Sequence, residues 1–170
     1  MSPSVNDFVD PWKAAGSSRL FSFDLKLDQF SRLQEILLDK SGSVTAELEF
    51  SFNDARLPMA VGRLKGELSV QCQRCLEAMK IPVDQPVSVT FVRSGNTDQD
   101  LFEQYDLYEV EDEVVRPVDI IEDELLLLIP QLPMHSDPVC IIETEFGDGQ
   151  PRQEQERENP FAVLASLKKN

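Results

Sequence analysis

Two closely spaced cysteines are the first residues in this sequence whose types could do chemistry. They stand in the run Cys72-Gln73-Arg74-Cys75. Thiolates at this spacing can bind one metal ion from a tight turn. The same spacing serves redox enzymes, where the motif opens a substantial helix after a strand. Here only the segment LEAMKI lies before Pro82 and another strand pattern, which favours a metal-binding hairpin tip.

Further ligand types occur later in the chain. His135 is the only histidine and Cys140 the only other cysteine, so the full pattern is Cys-x2-Cys…His-x4-Cys. Three sulfurs and one imidazole nitrogen form a known tetrahedral zinc set, and the sequence predicts zinc bound by Cys72, Cys75, His135 and Cys140. However, 59 residues separate the two pairs. The alternative is that the cysteines are small packing residues and the histidine belongs to a loop.

A small surplus of basic residues surrounds the cysteine pair. Arg63 and Lys65 share one face of a predicted strand, and Arg74 lies at its tip. Such a row can track phosphates, which makes these three residues candidate RNA-binding residues. The alternative is an ordinary solvated sheet face.

The second half of the chain is strongly acidic. Residues 1–97 carry 11 basic and 12 acidic side chains, whereas residues 98–170 carry 5 and 19. Twelve of these acids lie between Asp98 and Glu124, without the spacing of a metal-binding loop such as the EF-hand's. This half should repel nucleic acid and attract a basic protein.

The sequence lacks the common catalytic motifs. It contains no G-x-S-x-G nucleophile elbow, no G-x-G-x-x-G and no G-x-x-x-x-G-K. A lone histidine in a proline-rich loop is a poor general base. We therefore expect a protein that is not an enzyme.

Three strands are predicted to position the cysteine pair. Apolar residues alternate with polar ones in residues 44–52, 57–72 and 80–93, which is typical of half-buried strands. Short connections favour an antiparallel meander. Pro82 and Pro86 suit an edge or a bulge, because proline cannot donate to a central ladder.

Helices should pack on this sheet. Apolar spacing predicts one helix over residues 28–38, with Asp28 as its N-cap, and another over 119–129, with Asp119 and Glu122 as a capping box. Residues 94–104 are predicted to be a loop, and residues 107–118 to hold one or two strands. The expected fold class is α+β, a mainly antiparallel sheet packed against a few helices.

The C-terminal residues predict a separate short helix. Residues 147–158 read as a flexible polar linker, and residues 159–170 as a helix with Asn159 as N-cap and Pro160 in its first turn. Such a short helix must dock to be stable in water. Its apolar residues, Phe161, Leu164 and Leu167, are predicted to bind a partner, although docking on its own domain is the alternative.

Length and composition indicate the domain boundaries and the compartment of the protein. Residues 1–18 are expected to form a polar N-terminal arm and residues 19–146 a single α+β domain. No apolar run approaches the roughly 20 residues of a membrane span, and the N-terminus does not read as a secretory signal. We expect a cytoplasmic protein whose three cysteines stay reduced.

Three motifs in order resemble a known family. The runs VQCQRCLEAMKIPV, VDIIEDELLLLIPQLPMH (after an acidic stretch) and NPFAVLASLKK are similar to those of the bacterial large ribosomal RNA subunit accumulation proteins, the YceD-like family. The likeness extends from about Leu20 to the C-terminus. The resemblance implies a mainly antiparallel α+β fold and a cytoplasmic role in accumulation of large-subunit ribosomal RNA. The three cysteines and His135 match family positions, and the family offers no established catalytic residue.

Two mechanisms fit these observations. In the first, the protein supports large ribosomal subunit biogenesis by holding a basic ribosomal protein or assembly factor on its acidic half. In the second, it binds ribosomal RNA directly through the hairpin with the cysteine pair and its basic face. The net charge of −15 favours the first.

Overall fold

The computed structural model describes residues 8–95, 99–136 and 140. Their elements, in chain order, are α1 (Pro11–Gly16), β1 (Leu20–Lys26), two 3-10 turns (Leu27–Gln29 and Leu33–Glu35), β2 (Leu37–Asp39), β3 (Ser43–Phe52), β4 (Pro58–Gln71), β5 (Ala78–Arg93), α2 (Gln99–Gln104), β6 (Leu107–Val110) and α3 (Pro117–Leu128). No helix among these residues is long and apolar enough to cross a membrane. The predicted linker 147–158 and helix 159–170 lie outside the described residues.

The strands form one mixed sheet in the order β1-β3-β4-β5-β6, with β2 paired to the end of β4. The first four of these are antiparallel, and β6 runs parallel to β5 after a crossover through α2. The α+β prediction and the β3-β4-β5 meander are confirmed. Because β6 pairs only with residues 90–93 of β5, Pro82 and Pro86 lie where β5 is an edge.

One face of the sheet forms the core. The alternating apolar residues of β3 were predicted to share one buried face; those from Val44 to Phe50 are buried, whereas Phe52 at the end of the strand is 46% exposed. An aromatic row crosses the sheet: Phe21 meets Phe50 at 5.4 Å between ring centroids, and Phe50 stacks on Phe91 at 5.8 Å. These last two rings reach each other across β4, where Ala60 offers only a methyl group between them.

Gly62 allows β4 to approach β3 more closely than any side chain would permit. A Cβ atom built on Gly62 would lie 1.8 Å from the carbonyl oxygen of Glu47. That obstacle is backbone, which cannot swing aside, so glycine is required for this approach.

The first strand was not predicted, although its pattern is clear in retrospect. Phe21, Phe23 and Leu25 alternate with polar residues in β1 and are buried. The segment predicted as a polar N-terminal arm contains α1, which contacts β3 and β4 and buries Ala14 and Ala15. Among the described residues, packing against the sheet domain extends back to Val9, which bridges to Val115.

The helix predicted over residues 28–38 is wrong. Two 3-10 turns and the strand β2 stand in its place, although four of the five apolar residues that suggested it are buried. A continuous helix needs the N–H groups of Arg32 and Leu33 for its own carbonyl groups. Both instead donate to the carboxylate of Glu122, at 2.7 and 3.0 Å. The predicted N-cap Asp28 lies within the first turn and does not cap it.

Three further local predictions also need correction. Residues 94–104 contain α2 rather than only a loop. The second predicted helix begins at Pro117, so Arg116 is the N-cap residue and Asp119 is inside the first turn, where it binds the Arg116 guanidinium. Proline at the first helical position explains this earlier start. Glu122 therefore belongs to no capping box.

The first testable prediction concerns the buried Glu122. Glu122→Gln should lower the free energy of unfolding by about 1.5–3 kcal/mol, because hydrogen bonds to a charged group are lost and the new NH2 faces a donor. Urea unfolding of the full chain measures this. Asp123→Asn is the matched control: Asp123 binds the same Arg32 from a more exposed position, and its loss should cost about 1 kcal/mol or less. Equal effects would contradict a special role for Glu122.

Candidate metal centre

The cysteine pair lies at the tip of the β4-β5 hairpin, as predicted. β4 ends at Gln71, and the turn is closed by hydrogen bonds from the Cys72 N–H to the Glu77 carbonyl group and from the Leu76 N–H to the Cys72 carbonyl group, both 2.9 Å. Leu76 adopts a left-handed conformation with φ of 64°. The turn directs both sulfurs to one side, and no helix follows the pair as it would in a redox motif.

The segment after α3 brings the second half of the cluster to the hairpin. α3 ends at Leu128, because Pro130 keeps the preceding Ile129 in an extended conformation. The chain then runs alongside the hairpin tip, where the Pro133 carbonyl group accepts a hydrogen bond from the Gln73 N–H at 2.8 Å. This contact sets His135 beside Cys75 across 59 intervening residues.

The four predicted ligands meet. The Sγ atoms of Cys72, Cys75 and Cys140 and a ring nitrogen of His135 all lie within 4.8 Å of one another. The Sγ atoms of Cys72 and Cys140 are 3.5 Å apart, and Cys75 Sγ is 3.5 Å from His135 Nδ1. Two sulfurs bound tetrahedrally at about 2.3 Å from zinc would be roughly 3.8 Å apart. The separations in this cluster, which we call the Cys3His cluster, therefore suit a small tetrahedral ion.

The histidine ring is oriented for binding through Nδ1. Its Nε2 atom lies 3.2 Å from the Ala78 carbonyl oxygen, which can only accept a hydrogen bond. In the neutral imidazole Nε2 then carries the proton, which leaves the Nδ1 lone pair facing Cys75. Metal-bound histidines commonly donate their other N–H in this way.

The surroundings favour the thiolate form of two of the three cysteines, Cys72 and Cys140. Burial acts to raise the pKa of Cys72, but backbone N–H groups of Cys75, His135 and Arg74 outweigh it and lower the pKa to about 5. Burial likewise opposes ionisation of Cys140, yet its pKa falls because Arg74, Cys75 and His135 hydrogen-bond to it. For Cys75 the Glu77 backbone N–H acts to lower the pKa, but the hydrogen bond with Cys140 and burial outweigh it and raise that pKa. Thiolate is the form that binds metal. The hydrogen bond with Cys140 raises the pKa of His135.

The structure places the three candidate RNA-binding residues in different settings. Arg63 lies on the exposed sheet face and forms an ion pair with Asp84, opposite Glu47 of β3. Lys65 lies on the same face, opposite Asp84 of β5. Arg74 is directed instead at the Cys3His cluster, where it contacts Cys140 and His135. The three do not form one continuous basic row.

Sequence reasoning missed a second feature, an acidic cleft beside α3. It is lined by Asp106, Tyr108, Asp123, Glu124, Leu127 and Leu128, and we call it the α3 cleft. Burial raises the pKa of Glu124, and the nearby charges of Asp106 and Asp123 raise it further. Leu127 is 81% exposed. The high acid count predicted a charged region, but only the fold combines it with an apolar surface.

Comparisons with known proteins agree on one family. A family model described as "Large ribosomal RNA subunit accumulation protein YceD" matches residues 60–168, more than half of the chain. The large ribosomal RNA subunit accumulation protein YceD of Haemophilus influenzae is 29% identical over 164 residues, covering 94% of each chain. No solved structure matches the chain. The resemblance found in the sequence motifs is thus confirmed.

Proposed function

The chain belongs to the family of large ribosomal RNA subunit accumulation proteins, and we propose that it is a cytoplasmic, non-enzymatic factor of large-subunit biogenesis. It supports accumulation of large-subunit ribosomal RNA by holding a basic ribosomal protein or assembly factor. The observation that carries this proposal is the α3 cleft, which is lined by three carboxylates and an exposed leucine. In this proposal the bound protein, rather than this chain, contacts ribosomal RNA.

The α3 cleft has the chemistry to receive a basic segment. Asp106 and Asp123 disfavour the charge on Glu124, and among the described residues only Asp123 of these three forms an ion pair, with Arg32. A lysine or arginine of the partner would relieve this repulsion, while Leu127 offers an apolar anchor. Charge would then set encounter rate and selectivity, and apolar burial much of the affinity.

The exposed sheet face offers less to RNA. Arg63 pairs with Asp84 and Lys80 pairs with Glu67, so part of the positive charge is already neutralised. Binding to RNA depends largely on neutralising phosphates with unpaired cations. This supports a protein partner over the alternative of direct RNA binding by Arg63, Lys65 and Arg74.

We further propose that the Cys3His cluster binds one zinc ion. Three sulfurs and one nitrogen are a common structural zinc set, and the ligand separations and the Nδ1 orientation fit it. With four protein ligands there is no open position for a substrate, which suits a structural rather than a catalytic ion. The ion would fasten the segment after α3 to the hairpin tip.

The second prediction tests this site. Protein purified without chelator should contain about one zinc ion per chain by elemental analysis. Stripping the metal should lower the melting temperature, because a ligand at about a thousand times its Kd stabilises the folded state by roughly 4 kcal/mol. Cys75→Ser and His135→Ala should reduce the zinc content, while Ser136→Ala, beside the cluster, should not. Less than a tenth of an equivalent in the wild type would rule the site out.

The third prediction tests the α3 cleft. The full chain recovered from growing cells at low and moderate salt should bring down a basic protein of the large subunit. Asp106→Asn with Glu124→Gln should reduce this affinity about fivefold, the effect of losing roughly 1 kcal/mol of charge attraction. Glu47→Gln with Glu49→Gln, on the exposed sheet face, removes the same charge and should have little effect.

The outcomes separate the two mechanisms. Equal losses in both double variants would contradict a specific cleft. Ribosomal RNA recovered at moderate salt by purified protein, with no protein partner, would instead favour the basic residues Arg63, Lys65 and Arg74.

The fourth prediction concerns the proposed partner-binding residues Phe161, Leu164 and Leu167, which lie outside the described residues. Removing residues 159–170 should weaken recovery of the basic partner and change the melting temperature only slightly. Melting curves and partner recovery for the truncated and full chains provide the test. A large fall in melting temperature with unchanged partners would show that this segment stabilises its own domain instead.

A further inference from the structure

We propose that Arg74 is a positioning residue of the Cys3His cluster, which holds the two halves of the cluster together and neutralises its charge. This inference rests on the proposed zinc site. It assigns to the metal centre a residue whose position at a hairpin tip had suggested a phosphate contact.

The geometry of Arg74 supports the first part of this role. Arg74 stands in the turn between Cys72 and Cys75, yet its side chain reaches across to the other half of the cluster. Nε donates to Cys140 Sγ at 3.2 Å, and a terminal NH2 donates to the His135 carbonyl oxygen at 2.9 Å. One rigid guanidinium therefore fixes both later ligand residues, which are 61 and 66 positions away in the chain.

The charge balance supports the second part. Three thiolates around a divalent ion leave the site with one net negative charge, and the sulfurs of Cys72 and Cys140 belong to buried residues. A buried uncompensated charge is costly. The guanidinium keeps its positive charge at any physiological pH, so it brings the complete site to neutrality.

Arginine suits this position better than lysine. The planar guanidinium donates in two directions at once, here to a sulfur and to a carbonyl oxygen. A lysine ammonium would supply the charge as a single point and could not hold both partners in the same geometry. Substitution by lysine can therefore separate the two parts of the role, because it keeps the positive charge and loses the two-directional hydrogen bonding.

The experiment compares zinc affinity in the full-length wild type, Arg74→Ala, Arg74→Lys and Arg74→Gln, by competition with a chelating indicator. Arg74→Ala and Arg74→Gln should bind zinc about 10–100-fold more weakly, the usual effect of losing a residue that orients metal ligands. Arg74→Lys should recover part of this loss. Arg63→Ala, which removes an arginine from the exposed sheet face, should stay within about twofold of the wild type.

A second readout reports on the ligands themselves. Cobalt(II) bound in place of zinc should show a thiolate charge-transfer band that shifts in Arg74→Ala, because the hydrogen bond to Cys140 Sγ is lost, and returns towards the wild-type position in Arg74→Lys. If Arg74→Ala only damaged the fold, restoring the positive charge with Arg74→Lys would not return the cobalt band towards its wild-type position. Circular dichroism of each zinc-loaded variant checks that the sheet is intact.

Two results would overturn the inference, and they are distinguishable. If the wild type binds zinc and Arg74→Ala matches it in affinity and cobalt spectrum, Arg74 has no such role and the zinc site stands. If the wild type binds no zinc, the site and the role of Arg74 fall together, while the proposal for the α3 cleft is unaffected.

Discussion

The buried carboxylate of Glu122 is the interaction on which the arrangement of α3 depends. Its oxygens accept hydrogen bonds from the Arg32 and Leu33 N–H groups and from the Arg32 guanidinium. A carboxylate that is almost completely buried is tolerated only when its oxygens are satisfied in this way. The same contacts occupy N–H groups that a continuous helix over residues 28–38 would need, so this segment forms two 3-10 turns. They also hold α3 against these turns. The direction of α3 in turn decides where residues 130–136 run, and hence where His135 meets the hairpin.

The sheet positions the cysteine pair, the part of the Cys3His cluster that does not depend on α3. β4 and β5 pair over thirteen positions and extend past β3, so the end of β4 is supported by the short strand β2. Gly62 lets β3 and β4 approach closely, and Leu68 and Val70 remain buried up to the point where Cys72 follows. The cysteine pair is therefore carried by a well-supported hairpin rather than by a free loop. Rigid placement of ligands on both sides reduces the entropy lost when an ion binds.

The parts of the fold that sequence could predict are those with local causes. β3, β4 and β5 were found because alternation with period 2 is visible within each strand. The helix over residues 28–38 was wrong because its apolar spacing also fits two tight turns, and the carboxylate that selects them is 90 positions away. A strand within residues 107–118 was predicted, and β6 lies there, but its parallel pairing with β5 depends on a crossover through α2 that no short-range signal indicates.

The candidate site likewise has features that could be predicted from the sequence and features that could not. Ligand types and the C-x2-C spacing identified all four residues of the Cys3His cluster, but their meeting depends on α3 and could not be derived from the sequence. Arg74 was taken for a phosphate contact because sequence gives its charge and not its direction. The α3 cleft could not be recognised from the sequence, since Asp106 lies between α2 and β6 and Glu124 lies in α3. The two residues come to line one cleft only through the packing of α3 beside β5.

One helix thus connects the Cys3His cluster to the acidic surface. Glu122 fastens the middle of α3 to the 3-10 turns, and the contact between Gln73 and Pro133 fastens the segment just after it to the hairpin. Between these two attachments lie Asp123, Glu124 and Leu127, which face the α3 cleft. A cleft held from both sides loses little conformational freedom when a partner binds, so more of the contact energy appears as affinity. On this argument a zinc ion in the Cys3His cluster would serve partner binding without touching the partner.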